Sequence, residues 1–291
     1  MSARIIDGVQ IAAGVREETK AGIARLKAAG HPVHLVAVIV GTTPAAEIYA
    51  NRQAEACRAI GIEYTLLAMA DDIANKDLRA EIRKLSKDSS VTGIMLHMPM
   101  PSHIDTARIQ FEIDVVKDVE GVNPANIGYV FYKHVVIAPC TAMAAVELIK
   151  TTGVPLEGAE TVVVGASHIV GKPIALLMTE QMATVTICHI ATRDLKYHTR
   201  RADIVVSAAG KAGLITADHI REGACVIDVG INRITMPDGT KKTVGDVDFD
   251  SVKEKAGHLT PVPGGVGPMT VAMLLRNTLR SAEILAGVTK G

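Results

Sequence analysis

The sequence predicts an α/β protein with two parallel-sheet α/β domains flanking a cleft, the second of Rossmann type. Three observations carry that reading. Thr161 to Pro173, TVVVGASHIVGKP, places three valines before a turn bracketed by Gly165 and Gly171, and a helical run from Ile174 to Met182 follows. Short apolar runs then recur about twenty residues apart at ATVTIC (183–188), ADIVVSAAG (202–210) and GACVIDVG (223–230), with room for a crossover between each. The first half alternates apolar strands and amphipathic helices as well, so it builds a sheet of its own.

In order along the chain, Val15, Ile23 and Leu26 recur among charged residues between Gly14 and Ala29, which predicts a surface helix. His34 to Val40 is a strand, Ala45 to Ile60 a helix stopped by Gly61, and Ile62 to Leu67 a second strand. A helix over Asp77 to Leu85 and a strand over Gly93 to Leu96 complete this layer. Pro139 interrupts the pattern near residues 137–141, before a helix at Ala142 to Lys150, and Pro268 to Ala286 reads as a long closing helix. The domains expected are residues 1–138 with 270–291, and 139–269. Two such sheets leave a cleft where a cofactor can face a substrate.

Composition narrows the function. Hydrophobic residues make up 48% of the 291-residue chain, but aromatic ones only 3%, so the interior is aliphatic. Lysine plus arginine and aspartate plus glutamate each total 31, which gives nucleic acid no basic field to bind. Cys57, Cys140, Cys188 and Cys225 are widely spaced with no C-x-x-C pair, so they read as small buried hydrophobes and no metal site is expected. No run has membrane-spanning length and MSARIIDGVQ has no signal pattern, so a cytoplasmic protein without membrane partners is expected.

The strand, turn and helix at 161–173 point backbone N–H groups and a positive dipole end at whatever lies above the turn, which suits a pyrophosphate. The glycines are spaced G-x5-G and not G-x-G-x-x-G, so alone this is equally a plain βα corner. Four further segments are richer in chemistry than packing requires. They are Tyr49 to Gln53, whose ends share a helix face; His97-Met98-Pro99-Met100-Pro101; Lys117-Asp118-Val119-Glu120-Gly121, two carboxylates beside a lysine; and Thr260 to Thr270, dense in proline and glycine. Each taken singly also fits packing, a solvated loop or a rigid turn.

Together these segments resemble the bifunctional methylenetetrahydrofolate dehydrogenase/methenyltetrahydrofolate cyclohydrolase family nearly end to end. The matches are VVGASHIVGKP (163–173), ATVTICH (183–189), ADIVVSAAGK (202–211), VIDVGIN (226–232), GDVDF (245–249) and TPVPGGVGPMT (260–270). The resemblance implies tetrahydrofolate one-carbon substrates, a nicotinamide cofactor and a homodimer. It implies substrate contacts at Asp118, Glu120, Pro263, Gly264 and Gly265. Cofactor contacts are implied at Gly165, Ala166, Ser167, Ile169, Ile190, Arg193, Ala209, Gly210, Ile231 and Thr270.

The departures fall on the chemistry. Where the family reads Y-x-x-x-K, with lysine as the acid–base group, this chain has Tyr49 and Gln53. His97 stands where Q-L-P-L-P has glutamine, Glu120 where K-D-V-D-G has its substrate-contacting aspartate, and PCTAMA replaces P-C-T-P-x-G. Hydride transfer needs ring alignment, whereas hydrolysis of the methenyl group needs an acid–base. A glutamine amide cannot cycle a proton. The expectation is therefore a dehydrogenase with cyclohydrolase activity lost or weak. One alternative keeps both activities with His97 as the acid–base group; a second is a folate- or nucleotide-binding regulator. Glu120 also raises an altered pterin as substrate. The resemblance favours NADP over NAD by family habit: no acidic residue ends the second strand of the dinucleotide fold, and Ser167 and Arg193 are available to a phosphate, although Ala166 and Ile190 stand where NADP-favouring members commonly carry arginine or other polar residues.

Overall fold

The computed structural model describes residues 2–41, 44–133, 136–236 and 238–288, the side chains of residues 44–49 excepted. The chain forms two compact units. One contains the residues up to Ala13 with Thr141–Met273; the other contains Gly14–Cys140 with the residues from Leu274 onward. In chain order, β1 (Arg4–Ile5) and α1 (Gly8–Ala28) precede β2 (His34–Val40), α2 (Pro44–Ala59), β3 (Glu63–Met69), α3 (Asn75–Lys87) and β4 (Gly93–Leu96). Helices α4 (Thr106–Gln110), α5 (Pro124–Phe131) and α6 (Cys140–Thr151) follow. Then come β5 (Glu160–Val164), α7 (Gly171–Glu180), β6 (Thr184–Cys188), α8 (Leu195–Thr199), β7 (Ile204–Ser207) and β8 (Cys225–Asp228). The chain closes with β9 (Asn232–Thr235), β10 (Lys241–Val244), α9 (Phe249–Lys253), β11 (His258–Leu259) and α10 (Val266–Leu285).

In the unit built on Gly14–Cys140, three parallel strands pair in the order β3-β2-β4. The central strand HLVAVIV is apolar on both faces because both are covered, and Leu35 through Val40 are buried. Val36, Val38 and Val40 point to one side and pack with Ile94 and Leu96 of β4 and with Leu78 and Ile82 of α3. Leu78 and Ile82 are one helical turn apart, so α3 turns a narrow apolar stripe inward and charges outward. Asn123 caps α5 by accepting the Ala125 N–H at 2.8 Å, and Pro124 occupies the first helical position.

The other unit holds a six-stranded sheet in the order β1-β11-β8-β7-β5-β6, with every pairing parallel. Its core gathers Val162, Val164, Val205, Val226 and Leu259 from the strands with Ile215, Ile220 and Val252 from the connections. β5 lies between β6 and β7, so the chain steps from β5 to β6 on one side and then crosses back over β5 to β7 on the other. The carboxyl ends of β5 and β7 thus form the switch point where such sheets take ligands. β9 and β10 form a separate antiparallel hairpin. β1 is only two residues long and carries no alternation, so its pairing with β11 was not legible in the sequence.

All four cysteines are buried free thiols, as the spacing suggested, and burial pushes Cys57 and Cys225 up to about 12. Among the described residues, no group of three His, Cys, Asp or Glu side chains could hold a metal, and no helix is long and apolar enough to cross a membrane.

Candidate functional site

In the unit built on Gly14–Cys140, the carboxyl end of β4 collects the predicted chemistry. The ladder runs one residue past Leu96, since the His97 N–H donates to Val38 O at 2.8 Å, and the His97 side chain is buried. A cis Met98–Pro99 peptide then turns the chain away. On the other edge of β4, the Ile94 N–H donates to Lys117 O at 2.8 Å and Ile94 bridges to Asp118. Where that backbone pairing stops, a side chain takes over: the Leu96 N–H donates to Glu120 Oε2 at 2.9 Å.

The loop carrying Glu120 is fixed from behind. Gly121 has φ +70° and lies against Ala138 and Pro139 with no room for a Cβ, so only glycine fits there. Asn277 of α10 donates to Val119 O at 2.9 Å and Ala138 O at 3.0 Å. Asp118 is fully buried, and its Oδ2 accepts from the Asn123 N–H at 2.7 Å and from Asn126 Nδ2 at 2.8 Å. Burial raises the Asp118 pKa, and the backbone and Asn126 donors around it partly reverse that shift. Lys117, beside these carboxylates in sequence, turns away from them. Its ammonium donates to Asp88 O at 2.6 Å, so it ties the loop to the end of α3.

Gln53 of α2 is buried, and Met95 places it at the same strand end. Its Nε2 donates to Met95 Sδ at 2.7 Å and its Oε1 accepts from the Tyr64 hydroxyl at 3.3 Å. Both ends of the amide are thus held by protein. Tyr49, predicted as its catalytic neighbour, lies outside the described side chains. Burial lowers the His97 pKa, which keeps the imidazole neutral at ordinary pH. Glu120 shifts the other way: burial first, and then the charge of Asp118, push its carboxyl up to about 7 against the Leu96 hydrogen bond. Tyr64 and Met95 were not among the residues the sequence singled out, because neither departs from a motif or carries an obvious reactive role.

In the other unit, the turn after β5 has the tight geometry its glycines suggested. Gly165 has φ +121° and packs on the Ala208 carbonyl, and Gly171 packs on the Gly165 carbonyl; a Cβ at either position would meet backbone. Ser167 Oγ accepts the N–H groups of Val170 at 3.2 Å and Gly171 at 3.3 Å, so this hydroxyl caps the entry to α7. Ala166 is half-buried beside it. Ala209 and Gly210 follow β7 across the switch point. Ile169, Ile190 and Ile231, each in a loop at the carboxyl edge, are exposed by 39%, 103% and 69%. Aliphatic side chains so bare at one sheet edge suit a flat ring system. Arg193 is also exposed, whereas Thr270 is half-buried and donates within α10 to Val266 O at 3.1 Å.

Two buried aspartates that no predicted site residue included organise these loops. Asp246 Oδ2 accepts from Ser207 Oγ at 3.2 Å and from the N–H groups of Ala209 at 2.7 Å and Gly210 at 3.0 Å; its Oδ1 accepts from Asn232 Nδ2 at 2.9 Å. Asp228 accepts the N–H groups of Gly230, Asp246 and Val247 at 2.9 to 3.0 Å, and burial raises its pKa to about 6. Both stand in quoted motifs, and a carboxylate in or beside an apolar strand was the available signal. Pro263, Gly264 and Gly265 line a pocket in this unit with Asp228, Gly230 and Ile231. A cis Val262–Pro263 peptide and a Gly264 φ of +107° shape that wall.

Residues 6–120 match the catalytic domain of tetrahydrofolate dehydrogenase/cyclohydrolase and residues 139–286 match its NAD(P)-binding domain. The chain belongs to the tetrahydrofolate dehydrogenase/cyclohydrolase family. Within that family it is 46% identical over 280 residues to the bifunctional protein FolD 3 of Roseobacter denitrificans, covering 96% of each chain. It is 46% identical to the bifunctional protein FolD of Moorella thermoacetica, over 97% of this chain and 100% of the other. Among solved structures, the bifunctional FolD enzyme of Campylobacter jejuni superposes with a TM-score of 0.91 at 40% identity, covering 97% and 99% of the two chains. The Trypanosoma brucei enzyme, solved with NADP and an inhibitor, gives 0.91 at 35% identity over 97% and 98%. The family's NAD(P)-binding domain thus contains five of the six strands of the sheet whose switch point carries Gly165 and Gly171, all but β1.

Proposed function

We propose that the chain oxidises methylenetetrahydrofolate to methenyltetrahydrofolate with NADP, and hydrolyses the methenyl product to formyltetrahydrofolate. The observation that carries this reading is end-to-end kinship with relatives named as bifunctional, at 46% identity over 96% of both chains. That kinship favours retained hydrolysis over the loss expected from Gln53. It also favours an enzyme over a binding regulator; the homodimer is carried over from the sequence resemblance alone.

The turn at Gly165 to Gly171 fits a dinucleotide, because it leaves backbone bare where a Cβ would otherwise intrude. NADP held there would supply the hydride acceptor. Ala166, Ile169, Ile190, Ala209, Gly210 and Ile231 would hold it, with Arg193 the cation available to a phosphate and Ser167 kept for the helix cap. The NADP found in the Trypanosoma brucei relative supports this choice over NAD.

On the folate side, Gln53 stands at the place of the family's acid–base lysine. Fixed by Met95 and Tyr64, it can orient substrate for hydride transfer but cannot carry a proton. Hydrolysis then needs a titrating side chain at the same strand end. His97 meets that requirement by position, and its neutral imidazole can accept a proton. Asp118 positions the loop from behind, and Glu120 faces the pterin in place of the family's aspartate.

Purified protein supplied with methylenetetrahydrofolate tests the reading. Reduced cofactor should appear with NADP in preference to NAD, and separately added methenyltetrahydrofolate should disappear faster than in buffer. No turnover with either nicotinamide would overturn it.

A further inference from the structure

We propose that His189, with Arg193, reads the 2′-phosphate of the cofactor and sets the preference for NADP over NAD. The proposal rests on the reading of the chain as a nicotinamide-dependent dehydrogenase. It supplies a reader where Ala166 and Ile190, the positions at which NADP-favouring members commonly carry polar residues, are aliphatic.

Position is the first ground. In a dinucleotide fold the residue that ends the second strand, about twenty residues beyond the glycine turn, meets the 2′ substituent of the adenosine ribose. Here that strand is β6. It pairs with β5 so that Cys188 lies opposite Val164, and the Gly165 N–H donates to Cys188 O at 2.9 Å. His189 is the next residue, so it leaves the sheet beside the turn that Gly165 opens.

The chemistry of the ring is the second ground. The chain closes a tight turn on itself: the His189 N–H donates to Thr192 Oγ1 at 2.9 Å, and the Thr192 N–H donates to His189 O at 2.8 Å. Within that turn the Ala191 N–H donates to His189 Nδ1 at 3.1 Å, which fixes the ring and leaves its proton on Nε2. The side chain is exposed and Nε2 has no partner among the described residues. The strand end therefore carries a fixed N–H donor. A donor suits a phosphate, whose oxygens accept, and it cannot take up the hydrogen bond of a 2′-hydroxyl as a carboxylate does.

The charges beside the ring are the third ground. Arg193 follows the turn, is exposed, and makes no hydrogen bond or ion pair among the described residues. Asp194, the acid nearest to His189 in sequence, caps α8 by accepting the Tyr197 N–H at 3.0 Å, so its carboxylate is committed to the helix. Ile190, at the tip of the turn, is fully exposed and adds no polar side chain. One donor and one cation thus stand where a carboxylate would favour the hydroxyl of NAD.

The test is titration calorimetry with NADP and with NAD on native protein, His189→Ala, His189→Gln, His189→Asp and Arg193→Ala, with melting curves to verify folding. Native protein should bind NADP more tightly than NAD. His189→Ala should lower that preference about tenfold, the worth of one hydrogen bond to a charged group, with the loss falling on NADP. His189→Gln keeps an N–H donor and should keep most of the preference. His189→Asp sets a carboxylate against the phosphate and should reverse it. Arg193→Ala should weaken NADP binding, by a factor that shrinks as salt rises. Equal losses of NADP and NAD in His189→Ala, or an unmoved preference in His189→Asp, would overturn the proposal. Native protein that binds both cofactors equally would also overturn it, leaving the dehydrogenase reading intact. Protein that binds neither would instead remove the reading on which it rests.

Discussion

The backbone N–H of Asp246 donates to Asp228 Oδ1 at 2.9 Å, so the two buried aspartates are interlocked. Through this pair the loops after β7 and β8 are fixed to each other, because Asp246 holds Ala209 and Gly210 while Asp228 holds Gly230. Gly230 and Gly245 lie against these carboxylates too closely for any side chain. Asp246→Ala would leave several buried donors unsatisfied at a cost of about 3 kcal/mol. Melting temperature and NADP affinity should fall together. A variant that loses affinity with a native melting curve would contradict this coupling.

Gly171 and Gly14 make a contrasting pair. Gly171→Ala pushes a Cβ into the Gly165 carbonyl, so it should abolish stabilisation by added NADP and lower the melting temperature. Gly14, inside α1, is exposed, and a Cβ added there would meet nothing within 4 Å. Gly14→Ala should therefore stabilise the fold by about 0.5–1 kcal/mol. Calorimetry on the two variants checks both signs.

Glu120 also links stability to pH. Its pKa is raised from 4.5 to about 7 in the folded chain, so between these values the folded state binds more of this proton than the unfolded state does. Its contribution is full below about pH 4 and is lost as pH rises through 7. Buried His97 has the opposite sign, since its lowered pKa costs stability as pH falls below its unfolded value. The comparison with Glu120→Gln isolates the carboxyl. Relative to native protein, that variant should gain on the order of 1–3 kcal/mol in urea denaturation between pH 5 and pH 8. No relative gain would mean that the carboxyl is not shifted.

Gln53 should affect both reactions alike. Gln53→Ala removes the amide held between Met95 and Tyr64 but no proton carrier. Oxidation and hydrolysis should fall by a common factor of about ten or less. A selective collapse of hydrolysis would show that Gln53 takes part in proton transfer.

Much of the fold was legible because its strands are long apolar runs. HLVAVIV and the valines of β5 declare covered strands, and the expected helices over 45–60 and 77–85 match α2 and α3 closely. β1 and β11, each two residues, and the short helices α4, α8 and α9 have too few residues to show a period. The motifs singled out Gln53, His97 and Glu120, each of which touches or follows β4, and the tight glycine turn after β5. They did not expose the part played by Asp228, Asp246, Met95 and Tyr64, whose roles arise from contacts between segments distant in sequence. Lys117 stands next to Asp118 in sequence, yet its ammonium binds Asp88 O, a contact that adjacency does not reveal.

The most direct test of the central claim is isotopic. Methylenetetrahydrofolate carrying deuterium on the one-carbon bridge, mixed with this protein and NADP, should yield reduced cofactor that contains the deuterium, together with methenyltetrahydrofolate that rises in step until hydrolysis removes it. Reduced cofactor without deuterium, or no reduced cofactor at all, would contradict a dehydrogenase acting on this carbon.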